Sequence, residues 1–194
     1  MTKPKEKSEF SITRKDEEML KLIRKTERKL LAVWAIACAD RVLPYFAKER
    51  PGDPRPGRAL AELKTWIDTG IFKMAVIRAA SLASHAAARE VGEDNAARSA
   101  ARAAGQAVAT AHVPLHAYGS AVYAQQAVYR ATDPSAANAA VIKERDWQFR
   151  QLLKLTEKKL TICSRGHEYA GNAPCPVCWP GYKKKKKVSG LMVK

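Results

Sequence analysis

From Ala75 to Ala140 the chain is dominated by alanine, with Arg, His, Gln and Tyr spaced through it, and this limits the accessible folds more than any other feature. Alanine is the strongest helix former, and its small side chain lets helices approach closely. No period-two alternation of useful length occurs before residue 160, which removes a sheet from this part of the chain. The expectation is an all-α, alanine-rich bundle of about six helices, and no exact internal repeat marks a solenoid. With 46% hydrophobic residues in 194 there is enough apolar material for a sizeable core. Only 7% are aromatic, so that core rests mainly on Ala, Leu, Val and Ile.

The helix boundaries follow from caps and breakers. Residues 1–13 read as a flexible arm. From about Arg14, Leu20, Ile23, Leu30, Leu31, Trp34 and Val42 recur at three- and four-residue spacings. Pro44 is expected in a last bent turn or at the end of that helix. Arg50–Gly57, with three prolines and two glycines, breaks the chain, and a second helix is expected over about Arg58–Asp68. A third spans about Phe72–Glu90. Asp94 or Asn95 caps a fourth that runs to about His112, and a fifth covers Leu115–Ala131. Asp133-Pro134 starts a sixth that continues to about Leu160.

The formal net charge of +16 is unevenly placed. Residues 31–149 hold 14 basic and 11 acidic side chains, whereas residues 150–194 hold 11 and 2. Global charge is therefore a poor guide to what the helical part binds. The N-terminus mixes both signs and has no apolar signal-peptide core, and no uninterrupted apolar run approaches the length of a membrane span. No membrane segment is expected. The expected compartment is a reducing cytoplasm, which favours thiols or metal ligands over disulfides.

The most specific local signal lies in residues 161–181. Cys163, His167, Cys175 and Cys178 have the spacing C-x3-H-x7-C-x2-C, which suits a tetrahedral Zn2+ site. With four protein ligands the site would be closed, hence structural, and the metal would supply folding energy that so small a segment lacks. The segment resembles a short zinc ribbon. Residues 182–194 form a lysine-rich tail in which Lys183, Lys184, Lys185, Lys186 and Lys187 follow one another. Such a run either binds phosphates, making this a nucleic-acid contact, or is simply solvated. Trp179 and Tyr182 beside it offer stacking surfaces for the first reading.

Enzyme signatures are missing: there is no Gly-rich phosphate loop, no G-x-S-x-G elbow and no facing carboxylate–histidine pairs. His112 and His116 have metal-pair spacing, but Val113 stands where a zincin has Glu, and His85 is the one further histidine in the helical part. Core or helix-end roles are the expectation for these three. Cys38 falls in an apolar stretch and should be buried, and Trp34 and Trp66 should anchor the core. Arg78, Arg89, Arg98 and Arg102 are expected to pair with acids such as Asp40 or Glu62, or to line a groove for a partner.

The stretch Ala32–Phe46, followed by Arg50-Pro-Gly-Asp-Pro-Arg-Pro56, the Ala-x-x-x-Leu-Lys-x-Trp66 helix and the later segments around His85 and Arg102–His116, resembles a helical immunity-protein family of bacterial polymorphic-toxin systems. The likeness covers about residues 17–155. It implies that residues 14–160 form an all-helical domain that binds a cognate toxin protein and blocks it without chemistry. Trp34, Asp40, Trp66 and Gln106 match the pattern, as do Asp53, Arg55, His85, Arg89, His112 and His116, the last six being the candidates for partner contact. The zinc-like segment and lysine tail are additions to that pattern.

Overall fold

The helical periodicity that begins near Arg14 breaks at Thr26, and this break changes the helix count. In the computed structural model, which describes residues 10–11, 16–157, 160–162 and 168–170, α1 spans Glu17–Lys25 and α2 spans Arg28–Glu49. Thr26 is extended, and its hydroxyl donates back to the Leu22 carbonyl at 2.8 Å, local bonding that competes with continuing the helix. Tertiary contacts decide the matter. The Asp16 side chain caps α1 at Met19 N–H, its backbone N–H donates to the Tyr118 hydroxyl at 2.8 Å, and Arg145 grips its carboxylate.

The described residues hold seven helices, one more than the sequence suggests. After α2 come α3 (Arg55–Thr69), α4 (Met74–Glu90), α5 (Ala96–Ala109), α6 (His116–Ala131) and α7 (Pro134–Glu157). Pro44 does not end α2, which continues to Glu49. Pro44 and Asp40, whose carbonyl loses its N–H partner, are both exposed, so water can serve that carbonyl, while Val42 and Phe46 hold the last turns in the core. Helix α3 starts three residues earlier than expected because Pro56 fits its first turn. Its end at Gly70 (φ 69°) is capped by Lys29, whose Nζ donates to Ile67 O at 3.0 Å. Asn95 caps α5 through Arg98 N–H.

Helix α5 is the axis of the bundle and packs against α2, α3, α4 and α6. Ala100, Ala101, Ala103, Ala104, Ala107 and Val108 are all fully buried. Side chains this small bring backbones close enough for hydroxyls to bond carbonyls across helices. Ser84 donates to Ala101 O at 2.7 Å, Ser81 to Gly105 O at 2.9 Å and Ser120 to Ala35 O at 3.2 Å. Volume is supplied from the surrounding helices by Trp34, Phe46, Leu31, Leu63, Leu152 and Met19. Trp34 and Trp66 anchor the core as expected, and Cys38 is fully buried. Helix α2 is long and apolar enough to cross a membrane by length and composition, but its apolar residues form the centre of this core.

A second unit, Lys158–Lys194, is separate by its contacts. Its described part is a two-stranded antiparallel hairpin, β1 (Leu160–Ile162) and β2 (Glu168–Ala170), in which Leu160 faces Ala170 and Ile162 faces Glu168.

Candidate functional site

Two of the six candidate contact residues, Asp53 and Arg55, pair with each other and with Glu90. Arg55 sits at the start of α3 and turns its guanidinium onto Asp53, with Nε 2.9 Å from Oδ1 and Nη2 2.6 Å from Oδ2. The same guanidinium reaches Glu90 at the end of α4, Nη1 donating to Oε1 at 2.8 Å. Arg50 adds a bond to the Glu90 carbonyl. Hydrogen bonds from Arg55 hold both the Asp53 and the Glu90 carboxyls below the usual carboxylate range. The proline-rich loop is thereby pinned to α4, 35 residues away in sequence.

The other four converge on the α4–α5–α6 face. His85 lies on α4 directly over Gly105 of α5: a Cβ there would stand 3.0 Å from the imidazole Cε1 and Nε2. Gln106 extends toward Gly119 of α6 in the same way, its Oε1 2.7 Å from where a Cβ would be. That amide oxygen also lies 2.7 Å from His116 Nδ1, so with the amide oriented this way Nδ1 carries the proton. The His112 and His116 rings stack at 5.1 Å with 44° between planes, across the turn that joins α5 to α6. Each of the two glycines costs its helix about 1 kcal/mol relative to alanine. Here that cost makes room for one imidazole and one amide.

Burial keeps both His85 and His116 below the ordinary histidine pKa. At His85 the charges of Arg102 and Arg89 push the same way, as does His116, and at His116 the neighbouring His112 does. The rings are thus neutral hydrogen-bonding groups in a positive surround. His112 Nδ1 is buried without a hydrogen-bond partner. Among the described residues no three His, Cys, Asp or Glu are placed to hold a metal ion together.

The arginines depart from expectation in their partners. Asp40 and Glu62 form no ion pair among the described residues; Arg98 and Arg130 pair with Asp94. Elsewhere Arg145 joins Asp16, Glu18 and Asp146, and Arg41 binds the buried Glu144 through Nε and Nη2. Glu144 begins a buried polar network that sequence reasoning missed. Gln148, fully buried, donates to Ala121 O at 3.1 Å and to Glu144, accepts from Gln125, and offers its carbonyl to Trp34 Nε1 at 2.8 Å. The i,i+4 spacing of Glu144 and Gln148 on an otherwise mixed helix is the signal that was available.

Cys163, His167, Cys175 and Cys178, with Lys183 to Lys187, lie outside the described residues.

A family model described as "Imm-5 like putative immunity protein" matches residues 21–155, most of the helical unit and more than half of the chain. The chain belongs to the Imm-5 like immunity-protein family. The match begins within α1 and ends within α7, so the matched span covers most of the helical body, with Asp53, Arg55, Glu90 and the histidine-bearing face inside it. The hairpin and the lysine-rich tail fall beyond it. No curated protein and no solved structure matches the chain.

Proposed function

We propose that this Imm-5 like protein binds a cognate bacterial toxin protein and neutralises it as a stoichiometric, non-catalytic partner. The observation that carries the reading is the family match across the helical body. The α4–α6 face supports it, because this face spends two helix-interior glycines on seating the half-buried His85 and Gln106. Exposed apolar side chains adjoin it: Leu82 on α4, Val113 and Leu115 in the α5–α6 turn, and Met74 at the start of α4. Apolar and arginine-rich composition of this sort fits protein recognition.

The test is to express the product of the neighbouring gene with and without this protein. A complex of equal stoichiometry that abolishes that product's toxicity supports the proposal. A product that neither binds this chain nor harms cells overturns it.

We also propose that Cys163, His167, Cys175 and Cys178 hold a structural Zn2+, on the strength of their ligand spacing and chemistry. Near one equivalent of zinc in protein purified without chelator, lost in Cys175→Ala, supports this. Less than about half an equivalent, unchanged by that substitution, overturns it.

A further inference from the structure

Residues 74–131, which span α4, α5 and α6, contain no lysine: all five of their cations are arginines, at 78, 89, 98, 102 and 130. Their three acids, Glu90, Glu93 and Asp94, cluster at the α4–α5 turn. Glu90 is taken by Arg55, and Asp94 by Arg98 and Arg130. Exposed Arg78 and Arg89 and half-buried Arg102 are left without a carboxylate among the described residues, although the other half-buried arginines, Arg55, Arg98, Arg130 and Arg145, each have one.

Their placement is ordered. Arg78, Leu82, His85 and Arg89 recur every three or four residues, so they share one stripe of α4. His85 borders α5, where Arg102 lies one turn before Gly105 and Gln106. Arg102 rests over the Tyr123 ring at 5.7 Å and offers one N–H to its hydroxyl at 3.4 Å. Its remaining N–H groups are neither bonded nor sealed from solvent. Stacking on an aromatic face and a free planar fork are the conditions for bidentate carboxylate recognition. The orphaned His112 Nδ1 is a second polar group still lacking a partner.

We propose, building on the immunity reading, that the α4–α6 face receives an acidic segment of a protein partner, one carboxylate seating on Arg102 beside His85 and others meeting Arg78 and Arg89. Residues 150–194 carry 11 basic and 2 acidic side chains, so an acidic occupant has to come from another chain. Protein carboxylates are favoured over nucleic-acid phosphates for two reasons. The cations are arginines with Leu82, Val113 and Leu115 exposed nearby, a composition of protein interfaces. The histidines beside them are held neutral by burial, so they add hydrogen bonds and no charge.

The test uses the full chain carrying Lys183→Gln through Lys187→Gln, so that the tail does not capture the probe. A short alternating Glu–Ser peptide is titrated while the His85 and His116 ring resonances are followed by NMR. Both rings should shift. Arg102→Gln should weaken binding about tenfold and Arg102→Lys should restore only part of it. Should Arg102→Gln fail to fold, the exposed pair Arg78→Gln and Arg89→Gln carries the same expectation. The proposal is overturned if the rings ignore the peptide, if these arginine variants bind it unchanged, or if oligothymidylate shifts the rings at lower concentration than the peptide does. Peptide binding that persists when the neighbouring-gene product does not bind at all removes the immunity reading and leaves this face. A product bound equally well by Arg102→Gln and the unsubstituted chain removes this face and leaves the immunity reading.

Discussion

Gly119→Ala and Gly57→Ala make the same chemical change inside two helices and should have opposite signs. At Gly57 in α3 nothing lies within 4 Å of the new Cβ. The substitution there should stabilise by about 0.5–1 kcal/mol through helix propensity and a less flexible unfolded chain. At Gly119 in α6 the new Cβ meets Gln106 Oε1 at 2.7 Å, with Cδ at 3.1 Å and Cγ at 3.3 Å. Gln106 must then leave its rotamer, at about 0.5–1.5 kcal/mol. It also gives up His116 Nδ1, for about the same again. Against the propensity gain of about 1 kcal/mol, the net is destabilisation of about 0–2 kcal/mol. The two variants should therefore differ by about 0.5–3 kcal/mol. At about 2–4 °C per kcal/mol for a chain of this size, that is a clear gap in thermal melts followed by circular dichroism. The His116 ring resonance should move in Gly119→Ala alone. Equal stabilisation by both substitutions, with His116 unmoved, would refute the claim that Gly119 exists to admit Gln106.

Three further outcomes are expected. Arg41→Ala leaves the Glu144 carboxylate buried at 5% exposure and should cost about 2–3 kcal/mol in urea unfolding, at or just below the range of about 3–5 kcal/mol for a broken buried pair because Arg41 itself is 43% exposed. Adding Glu144→Gln should recover more than half of that loss. His85 and His116 have folded pKa values below the unfolded value of about 6.5, so the unfolded chain binds more protons as pH falls and stability should decline below about pH 6.5. Asp16 and Asp53 are lowered carboxyls whose contributions are lost only as pH falls below about 4, and the Asp40 carboxyl, raised by burial, works against the histidine trend, so the histidine variants rather than the interval from pH 7 to 5 isolate the imidazoles. Urea midpoints in that interval should flatten in the His85→Gln, His116→Gln double variant. Cys38, fully buried and with its thiol pKa pushed up by burial, should resist thiol reagents until denaturant is added. Fast labelling of Cys38 in native protein would contradict its place in the core.

Boundaries written in local chemistry were legible. Asn95, Gly70 and Pro134 mark helix ends within a residue or two because a cap, a left-handed glycine or a missing N–H acts on its immediate neighbours. The break at Thr26 and the persistence of α2 past Pro44 were not legible, since both depend on distant partners, Tyr118 and Arg145 in one case and the burial of Phe46 in the other. Pairings had the same limit. Arg55 was singled out, but nothing in sequence joins it to Glu90. His85, Arg89, His112 and His116 were named without any means of placing them on one face. Gly105 and Gly119, lone glycines in alanine-rich helices, were the overlooked pointer, because a helix tolerates that cost where another side chain needs the space.

On the proposed function, the helical body of this Imm-5 like protein is a toxin-binding module. Growth of cells expressing the neighbouring-gene product tests it most directly, with the full chain supplied in unsubstituted form, with Arg102→Gln, and with the five tail lysines at 183–187 replaced by glutamine. Rescue is expected from the unsubstituted and tail-substituted chains, and impaired rescue from Arg102→Gln at equal protein levels. Rescue that is lost with the tail lysines and indifferent to Arg102 would contradict it.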